Sequence, residues 1–547
     1  MVLHRIATTL WRSQFLCSFL LILGIFFVCF NYIYIYSWIF IFAGNGEIYR
    51  TVAKILGTLC SRKQKKDNEV ARISSLCGAS NCPQLFSHSN IPGKKRKMRD
   101  YCIAFNSSNH KFLKSLFPFF LCTLFSVFQN LILCSSQNPA LLLPLKTQVI
   151  PPESIRRSPD KLPFRHNVSL TVSLTVGTPP QNVTMVIDTG SELSWLHCNR
   201  SQNSSSSSSS TFNPAGSSSY TPIPCSSSTC TDQTRDFPIP ASCDSNHLCH
   251  ATLSYADASS SEGTLATDTF YIGNSGISNV VFGCMDSIFS SNNEEDSKNT
   301  GLMGMNRGSL SFVSQMGFPK FSYCISEYDF SGLLLLGDAN FSWLAPLNYT
   351  PLIEMTTPLP YFDRVAYTVQ LEGIKVSHKL LPIPESVFEP DHTGAGQTMV
   401  DSGTQFTFLL GPAYTALRDE FLNRTAGSFR VFEDSNFVFQ GAMDLCYRVP
   451  MNQTRLPPLP SVTLVFRGAE MTVTGDRILY RVPGEIRGND SIHCFTFGNS
   501  DLLGVEAFVI GHLHQQNVWM EFDLKKSRIG LAEIRCDLAG QKLGMGL

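Results

Sequence analysis

The sequence predicts an all-β protein with two similar lobes and a few short helices. One observation is a set of short runs rich in Val, Thr and aromatic residues, bounded by Gly, Pro, Asn or Ser, which is typical of strands. Another is an internal repeat, in which one short pattern occurs twice at matched spacing. The third is the length of 547 residues, which exceeds one ordinary hydrophobic core and favours two lobes with additional segments.

The first part of the chain, residues 1–110, is predicted to be an N-terminal extension. It contains the apolar stretch Phe15–Ala43, which is long enough to span a bilayer as a helix. Lys and Arg then occupy 14 positions from Arg50 to Lys114, and positive charge beside an apolar span tends to stay cytosolic. An over-extended gene model, with Met98 nearer the true start, is the alternative origin of residues 1 to 97.

A second apolar stretch, Phe112–Leu133, lies within residues 111–136, which are predicted to be a signal peptide or a signal anchor. In either case the chain after Ser135 enters the secretory pathway, in the endoplasmic reticulum lumen or outside the cell. Residues 137–164 are rich in Pro and are predicted to form an irregular linker or short prosegment. The lobes are expected at 165–345 and 346–547.

Charge is unevenly distributed along the chain. Residues 1–135 hold 16 Lys and Arg against 4 Asp and Glu, which leaves 27 basic and 39 acidic residues in the remainder. An acidic body argues against nucleic acid as a partner, because phosphate binding needs clustered Lys and Arg. Membrane contact is expected only through the N-terminal apolar spans, and the protein is expected to be a monomer.

Cysteine usage fits an exported protein. Ten cysteines follow Ser135, without the paired spacing of a zinc site, so disulfides in an oxidising compartment are expected. Proximity in sequence favours pairing Cys243 with Cys249 and Cys446 with Cys494. Nine Asn-x-Ser/Thr triplets after Ser135 are compatible with glycosylation in the same compartment.

The predicted elements beyond residue 165 are mainly strands, at Val168–Val176, Asn182–Ile187, Val462–Phe466 and Val518–Phe522. One helix is predicted at Pro412–Leu422, where Pro412 suits the first turn and Leu417 and Phe421 share a face. The tract Ser204–Ser210 has nothing to bury and is predicted to be an exposed loop.

The internal repeat joins Val186–Ser191 (VIDTGS) to Met399–Thr404 (MVDSGT). Four residues after each copy stands an aromatic residue followed by Leu. Each copy is also followed by a second short pattern, two apolar residues and then a glycine. In the first half this glycine is Gly304, 116 residues after Asp188, and in the second half it is Gly511, 110 residues after Asp401. The matched order and spacing indicate two copies of one β lobe.

Asp188 and Asp401 are the candidate catalytic residues. Two carboxylates brought face to face cannot both ionise cheaply, so the pair holds one proton. The charged member can take a proton from water while the protonated member donates to a peptide carbonyl, without a covalent intermediate. This predicts an aspartic endopeptidase that favours acid pH and needs no cofactor or metal. A single Asp-Thr-Gly or Asp-Ser-Gly is more often an ordinary turn, and the duplication favours catalysis.

Neighbouring residues have roles that suit such a dyad. Gly190 and Gly403 permit a tight turn that lets backbone N–H groups approach each carboxylate. The hydroxyls of the residues on either side of each glycine can donate hydrogen bonds that orient the carboxylates; these residues are Thr189, Ser191, Ser402 and Thr404.

The two copies resemble the active-site signatures of pepsin-like aspartic proteases, and the surrounding sequence resembles the nepenthesin-type plant branch, from about Leu141 to Leu547. The resemblance implies a bilobal, pepsin-like double β-barrel with the active site between the lobes and a protein or peptide substrate. It matches Asp188 and Asp401 to the catalytic pair. By the same resemblance, Thr189 and Ser402 bond across the lobe junction, Ser191 and Thr404 bond the outer carboxylate oxygens, Tyr255 is the tyrosine of the flap, and Trp195 supports it.

Some positions depart from that family. Ala256 and Ala258 stand in the flap where the family often has Gly, and the usual second cysteine shortly after Cys198 is absent. The alternative function is a catalytically weak pepsin-like binding or inhibitor protein of the secretory pathway. His512 and His514 beside Gly511 lack a third ligand nearby in sequence, so they are interpreted as strand residues, not metal ligands.

Overall fold

The structure is a computed structural model that describes residues 140–149, 168–198, 211–235, 237–256, 258–273, 275–289, 298–327, 331–434, 436–453 and 455–545. The predicted N-terminal extension, both apolar spans and the serine tract lie outside the described residues. Within the described ranges, no helix combines the length and the apolar character needed to cross a membrane.

Strands dominate the described residues, as predicted. In the first half they are β1 Leu141–Val149, β2 Val168–Val176, β3 Gln181–Asp188, β4 Trp195–His197, β5 Thr221–Pro222, β6 Ser242–Cys243, β7 Cys249–Ser254, β8 Ser260–Ile272, β9 Ser275–Phe289, β10 Gly301–Gly304, β11 Lys320–Ile325 and β12 Ser331–Leu336.

The strands of the second half are β13 Asn348–Pro351, β14 Thr368–Val369, β15 Leu371–Val376, β16 Lys379–Leu380, β17 Gln397–Val400, β18 Thr407–Leu409, β19 Arg430–Val431, β20 Cys446–Pro450, β21 Val462–Phe466, β22 Ala469–Val473, β23 Leu479–Arg487, β24 Asp490–Phe495, β25 Phe497–Asn499, β26 Ala507–Ile510, β27 Val518–Asp523 and β28 Arg528–Glu533. All four strands predicted from composition are confirmed.

Helices are few and short among the residues that the structure describes. They are α1 Phe312–Met316, α2 Gly411–Thr425 and α3 Cys536–Lys542. The predicted helix at Pro412–Leu422 is confirmed as α2, with Pro412 in its first turn and Leu417 and Phe421 buried on one face. Single turns of tighter or wider helix occur at Pro214–Gly216, Thr229–Gln233, Glu385–Val387, Gly475–Arg477 and Ser500–Leu503.

The prediction that residues 137–164 are irregular is wrong for β1. This strand lies between β12 and β2 and pairs antiparallel with both. Its side chains alternate, since Leu143 and Leu145 are buried while Pro144 and Lys146 are exposed. That period of two is a strand signal, and the proline in its middle concealed it.

All twelve strands of the first half, with β13, β27 and β28, belong to one large sheet. Its order is β13-β28-β27-β11-β12-β1-β2-β3-β10-β4-β9-β8-β7-β6, with β5 paired to β8. The remaining strands form a five-stranded sheet, β14-β17-β26-β18-β25, and two four-stranded sheets, β16-β15-β21-β22 and β19-β20-β24-β23. Strands β27 and β28, from the end of the chain, therefore extend the sheet of the first half at β11.

The core continues across that junction. Phe321 on β11 stacks on Phe522 of β27 with ring centroids 4.6 Å apart, and the edge of Tyr367 meets the same Phe522 at 4.6 Å. All three rings are fully buried, and removing a buried Phe to Ala costs about 3–5 kcal/mol. The two halves are thus joined by aromatic packing as well as by strand pairing.

Five disulfides pair all ten cysteines that follow Ser135. They are Cys198–Cys284, Cys225–Cys243, Cys230–Cys249, Cys324–Cys536 and Cys446–Cys494. The predicted Cys446–Cys494 bond is confirmed. The predicted Cys243–Cys249 bond is wrong, because the segment containing Cys225 and Cys230 crosses the β6–β7 hairpin and bonds one cysteine on each strand. Cys284 on β9 is the partner of Cys198.

Candidate active site

The two repeated turns lie at the ends of β3 and β17. β10 runs parallel to β3 with Gly304 opposite Asp188, and β26 runs parallel to β17 with Ile510 opposite Val400. The apolar-apolar-Gly partners predicted from the repeat are therefore the neighbouring strands. A Cβ on Gly304 would lie 2.3 Å from the carbonyl oxygen of Glu192, so only glycine fits.

Four hydrogen bonds cross between the two turns. The Thr189 backbone N–H donates to Ser402 Oγ at 3.1 Å, and the Ser402 N–H donates to Thr189 Oγ1 at 2.9 Å. Each hydroxyl then donates to the other half, from Thr189 to the Val400 carbonyl at 3.2 Å and from Ser402 to the Ile187 carbonyl at 3.1 Å. Both side chains are buried, and this reciprocal set fixes the distance between the two aspartates.

Each carboxylate is held by its own turn. The Gly190 N–H donates to Asp188 Oδ1 at 2.8 Å, and Ser191 Oγ donates to Asp188 Oδ2. In the second half the Gly403 N–H donates to Asp401 Oδ1 at 2.9 Å. Thr404 Oγ1 likewise donates to Asp401 Oδ2 at 2.5 Å. The repeat in sequence is thus a repeat in hydrogen bonding.

The glycines also bring the two carboxyl groups together. A Cβ on Gly403 would lie 2.4 Å from Asp188 Oδ1, and one on Gly190 would lie 2.9 Å from Asp401 Oδ1. Each glycine therefore packs against the carboxylate of the opposite half, and a side chain at either position would displace it. The two carboxyl groups are close enough for the charge of Asp401 to raise the pKa of Asp188.

Burial, and after it the charge of Asp401, raise the pKa of Asp188 from 3.8 to about 8. The hydrogen bonds from Ser191 and from the Gly190 N–H lower the pKa, but they do not outweigh burial. Asp188 is 7% exposed, so its ionised form loses most of its hydration. The pair of carboxyl groups therefore retains a proton up to neutral pH.

A cleft of 840 Å³ opens over the pair. Tyr255 borders it at the tip of the β7–β8 hairpin, and the Trp195 indole N–H donates to the Tyr255 hydroxyl at 2.6 Å. The two residues that the family resemblance linked are thus in contact. Ala258, in the same hairpin tip, adopts φ +63°, a conformation that costs a residue with a Cβ about 1–2 kcal/mol. The alanine in place of the family's glycine therefore strains the turn.

Two parts of the cleft wall carry no motif and were not predicted. Phe237, Pro238 and Ile239 come from the segment that two disulfides tie to β6 and β7, and residues 358–365 also line the cleft. Irregular segments of this kind have neither periodicity nor a signature, so only the folded chain reveals their place.

The interpretation of His512 and His514 as strand residues is wrong. β26 ends at Ile510, and both histidines lie in the turn that follows. His514 is fully buried and bonds Thr407 Oγ1 at 2.7 Å and Thr496 Oγ1 at 2.8 Å. Burial keeps its pKa well below the usual range. No cluster of three or more potential metal ligands occurs among the residues that the structure describes.

Comparison with known proteins agrees with this architecture. The family described as "Xylanase inhibitor N-terminal" matches residues 170–338, and "Xylanase inhibitor C-terminal" matches residues 366–533. These two matches, together with relatives at 69% and 32% identity, show that the chain belongs to the pepsin-like aspartic proteases.

Within that family the chain is 69% identical over 411 residues to Aspartic proteinase PCS1 of Arabidopsis thaliana, covering 74% of this chain and 90% of that protein. It is 32% identical over 370 residues to Aspartic proteinase nepenthesin-1 of Nepenthes gracilis, covering 67% of this chain and 77% of that protein. These relatives belong to the nepenthesin-type plant branch. The chain is thus an aspartic endopeptidase.

Solved structures show the same fold. The structure of edgp aligns with a TM-score of 0.53 and 20% identity, covering 74% of this chain and 97% of that one. Basic 7S globulin from soybean aligns with a TM-score of 0.50 and 18% identity, covering 73% of this chain and 97% of that one. The predicted fold class, mainly β and pepsin-like, is confirmed.

Proposed function

We propose that Asp188 and Asp401 hydrolyse a peptide bond through one water molecule. One aspartate of the pair, ionised, takes a proton from the water, whose oxygen attacks the carbonyl carbon, while the other, protonated, gives its proton to the carbonyl oxygen. The aspartate that took the proton from water then gives it to the amide nitrogen of the tetrahedral diol, a diol hydroxyl returns its proton to the other aspartate, and the C–N bond breaks to release the carboxylic acid and the amine. The observation that carries this proposal is the packing of each turn glycine against the carboxylate of the other half. A Cβ added to Gly403 would lie 2.4 Å from the nearest oxygen of Asp188, and one added to Gly190 would lie 2.9 Å from the nearest oxygen of Asp401.

Tyr255 is proposed to close over the bound peptide. Its hydroxyl accepts the Trp195 N–H at 2.6 Å, so the ring is anchored at one end while its hairpin borders the cleft. An anchored aromatic ring at the tip of a hairpin can exclude water and press on the substrate backbone. The proposed role of Trp195 is to orient this ring.

The proposed substrate is an extended peptide of several residues, with bulky apolar side chains beside the cut bond. Three large apolar side chains line the cleft and remain exposed, Ile239 by 43%, Phe289 by 51% and Tyr361 by 54%. Exposed apolar groups gathered in one cleft favour apolar ligand groups. A peptide-library cleavage profile tests this preference directly.

The five disulfides indicate an oxidising compartment. We propose that the chain enters the secretory pathway through residues 111–136, which act as a cleaved signal peptide or as a retained anchor. The proposed lobes are residues 165–345 and 346–547. Sequencing the N-terminus of the mature protein distinguishes cleavage from anchoring. Intact Phe112–Leu133 in the mature protein would rule out the cleaved form.

Purified protein is expected to cleave a denatured protein at about pH 4–6 and to be inhibited by pepstatin. Asp188→Asn and Asp401→Asn are each expected to abolish cleavage while the fold is retained. The second candidate, a pepsin-like binding protein, is favoured only by the description of the matching families as xylanase inhibitors. A folded wild type that binds a partner protein but cleaves nothing would support that candidate instead.

A further inference from the structure

The two halves differ in how the backbone carbonyl of each aspartate is satisfied. In a parallel strand pair, every second residue of a strand bonds the neighbouring strand. Its carbonyl accepts from the N–H of the residue that comes directly after its partner. The first half obeys this rule, since Gly304 pairs with Asp188 and the Met305 N–H donates to the Asp188 carbonyl at 2.8 Å. The next residue, Asn306, donates its N–H to the Ser191 carbonyl at 3.0 Å.

The second half begins in the same register. The Asp401 N–H donates to the Ile510 carbonyl at 3.1 Å, which sets Gly511 opposite Asp401. The rule then assigns the His512 N–H to the Asp401 carbonyl. That N–H donates instead to the Thr404 carbonyl at 2.8 Å, the counterpart of the Ser191 carbonyl. One backbone donor is therefore missing behind Asp401.

The side chain of Gln515 supplies the missing donor. Its Nε2 donates to the Asp401 carbonyl at 3.2 Å and to the Ile510 carbonyl at 2.7 Å. Both hydrogens of the amide are thus bonded to backbone carbonyls, one in the Asp401 turn and one at the end of β26. Gln515 is fully buried, so water cannot replace these hydrogen bonds.

Tyr323 holds that amide in place. Its hydroxyl donates to Gln515 Oε1 from the middle of β11, and both side chains are fully buried. Because the amide nitrogen already serves two carbonyls, the hydroxyl must act as the donor here. Burial, followed by the nearby charge of Asp401, keeps the pKa of Tyr323 well above its usual range, so the hydroxyl stays protonated. Tyr323 comes from the first half, and the aspartate that it supports comes from the second.

We infer that Gln515 is a positioning residue for Asp401, held in orientation by Tyr323, and that it replaces the backbone hydrogen bond that Asp188 receives from Met305. This inference rests on the proposed dyad. Gln515 does not touch substrate; it fixes the backbone from which the Asp401 carboxylate projects. Displacing that carboxylate by a fraction of an ångström relative to Asp188 changes the shared proton and the attack of water, so the effect falls on turnover rather than on substrate binding.

The test compares Gln515→Met with the matched control Gln370→Met. Gln370 is also buried, and its Nε2 also donates to two backbone carbonyls, those of Leu371 and Phe388, each at 2.8 Å. It does not line the cleft. Each change keeps side-chain volume and removes two amide donors to backbone carbonyls. Gln515→Met also removes the acceptor of the Tyr323 hydroxyl and should lose more thermal stability, so activity is compared per mole of folded enzyme.

Gln515→Met is expected to lower kcat roughly ten- to hundredfold, to leave KM within about twofold, and to shift the pH profile of kcat. Gln370→Met is expected to keep the wild-type kcat and pH profile. Equal kcat in the two variants, per mole of folded enzyme, would overturn the inference. So would a loss confined to KM.

Tyr323→Phe provides a second variant that keeps the ring and the packing. It is expected to lower kcat by a smaller factor, about three- to tenfold, with the same direction of pH shift as Gln515→Met. If Gln515→Met does not fold, a wild-type pH profile in Tyr323→Phe overturns the inference. Pepstatin-inhibited cleavage by the wild type distinguishes failure of this inference from failure of the proposed function. If the wild type shows no such cleavage, the proposed dyad is refuted. If it does, and both variants are fully active, only the role of Gln515 is refuted.

Discussion

Replacing Asp188 by Asn should stabilise the protein at neutral pH while abolishing cleavage. Asparagine keeps the size of the side chain and removes the proton that the carboxyl pair shares. In the wild type, burial and the Asp401 charge raise the pKa of Asp188 from 3.8 to about 8. The folded state therefore binds one more proton than the unfolded state across this window, and the wild type loses stability as pH rises through it.

The magnitude follows from the linkage slope. A difference of one bound proton changes the free energy of unfolding by about 1.4 kcal/mol per pH unit. Between about pH 5 and pH 7 the Asp188→Asn variant should therefore gain about 3 kcal/mol relative to the wild type. For a protein of this size that is a few degrees in the unfolding midpoint.

The assay is chemical denaturation of both proteins at several pH values, read by tryptophan fluorescence, alongside a cleavage assay on the same samples. A stability difference that grows steadily with pH supports the shared proton. A difference that is the same at every pH would refute the reasoning, because both carboxyl groups would then be ionised together. Ser311→Ala, which removes the cap of α1, is a suitable control, since its stability loss should not depend on pH.

Three further changes test other parts of the site. Ser402→Ala removes two buried hydrogen bonds between the turns and should cost about 1–3 kcal/mol together with most of kcat; unchanged kcat would contradict the role of these bonds. Tyr255→Phe leaves Trp195 without its acceptor and should lower kcat/KM about tenfold with little change in unfolding midpoint; a stability loss alone would indicate a packing role. Replacing both Cys324 and Cys536 by Ala opens a link across 212 residues and should cost about 2–5 kcal/mol, measured by denaturation, with an unchanged KM as the control.

The aspartate turns could be predicted because the information is local and duplicated. Each turn occupies six residues, and the second copy provides an internal control for the first. The glycines at 304 and 511 were predictable from spacing, and the structure gives the reason, since a Cβ at either position would overlap a backbone carbonyl of the neighbouring turn.

Features that depend on long-range contacts could not be predicted. Gln515 stands in an ordinary polar stretch, and its role depends on β11, almost two hundred residues earlier in the chain. Cys243 has a nearer cysteine in sequence than the one it bonds, because the crossing segment at Cys225 decides the pairing. Pro144 concealed β1, since a proline normally argues against a strand inside a sheet.

The position of β27 between β11 and β28 also has a consequence for biosynthesis. A chain that emerges from the ribosome N-terminus first presents Lys320–Ile325 as an open strand edge while residues 326–517 are still being made. Exposed edges invite pairing with other nascent chains, so a folding chaperone should be needed over this interval. The large sheet is completed only when β27 and β28 have been synthesised, so we expect no cleavage of neighbouring proteins before that point.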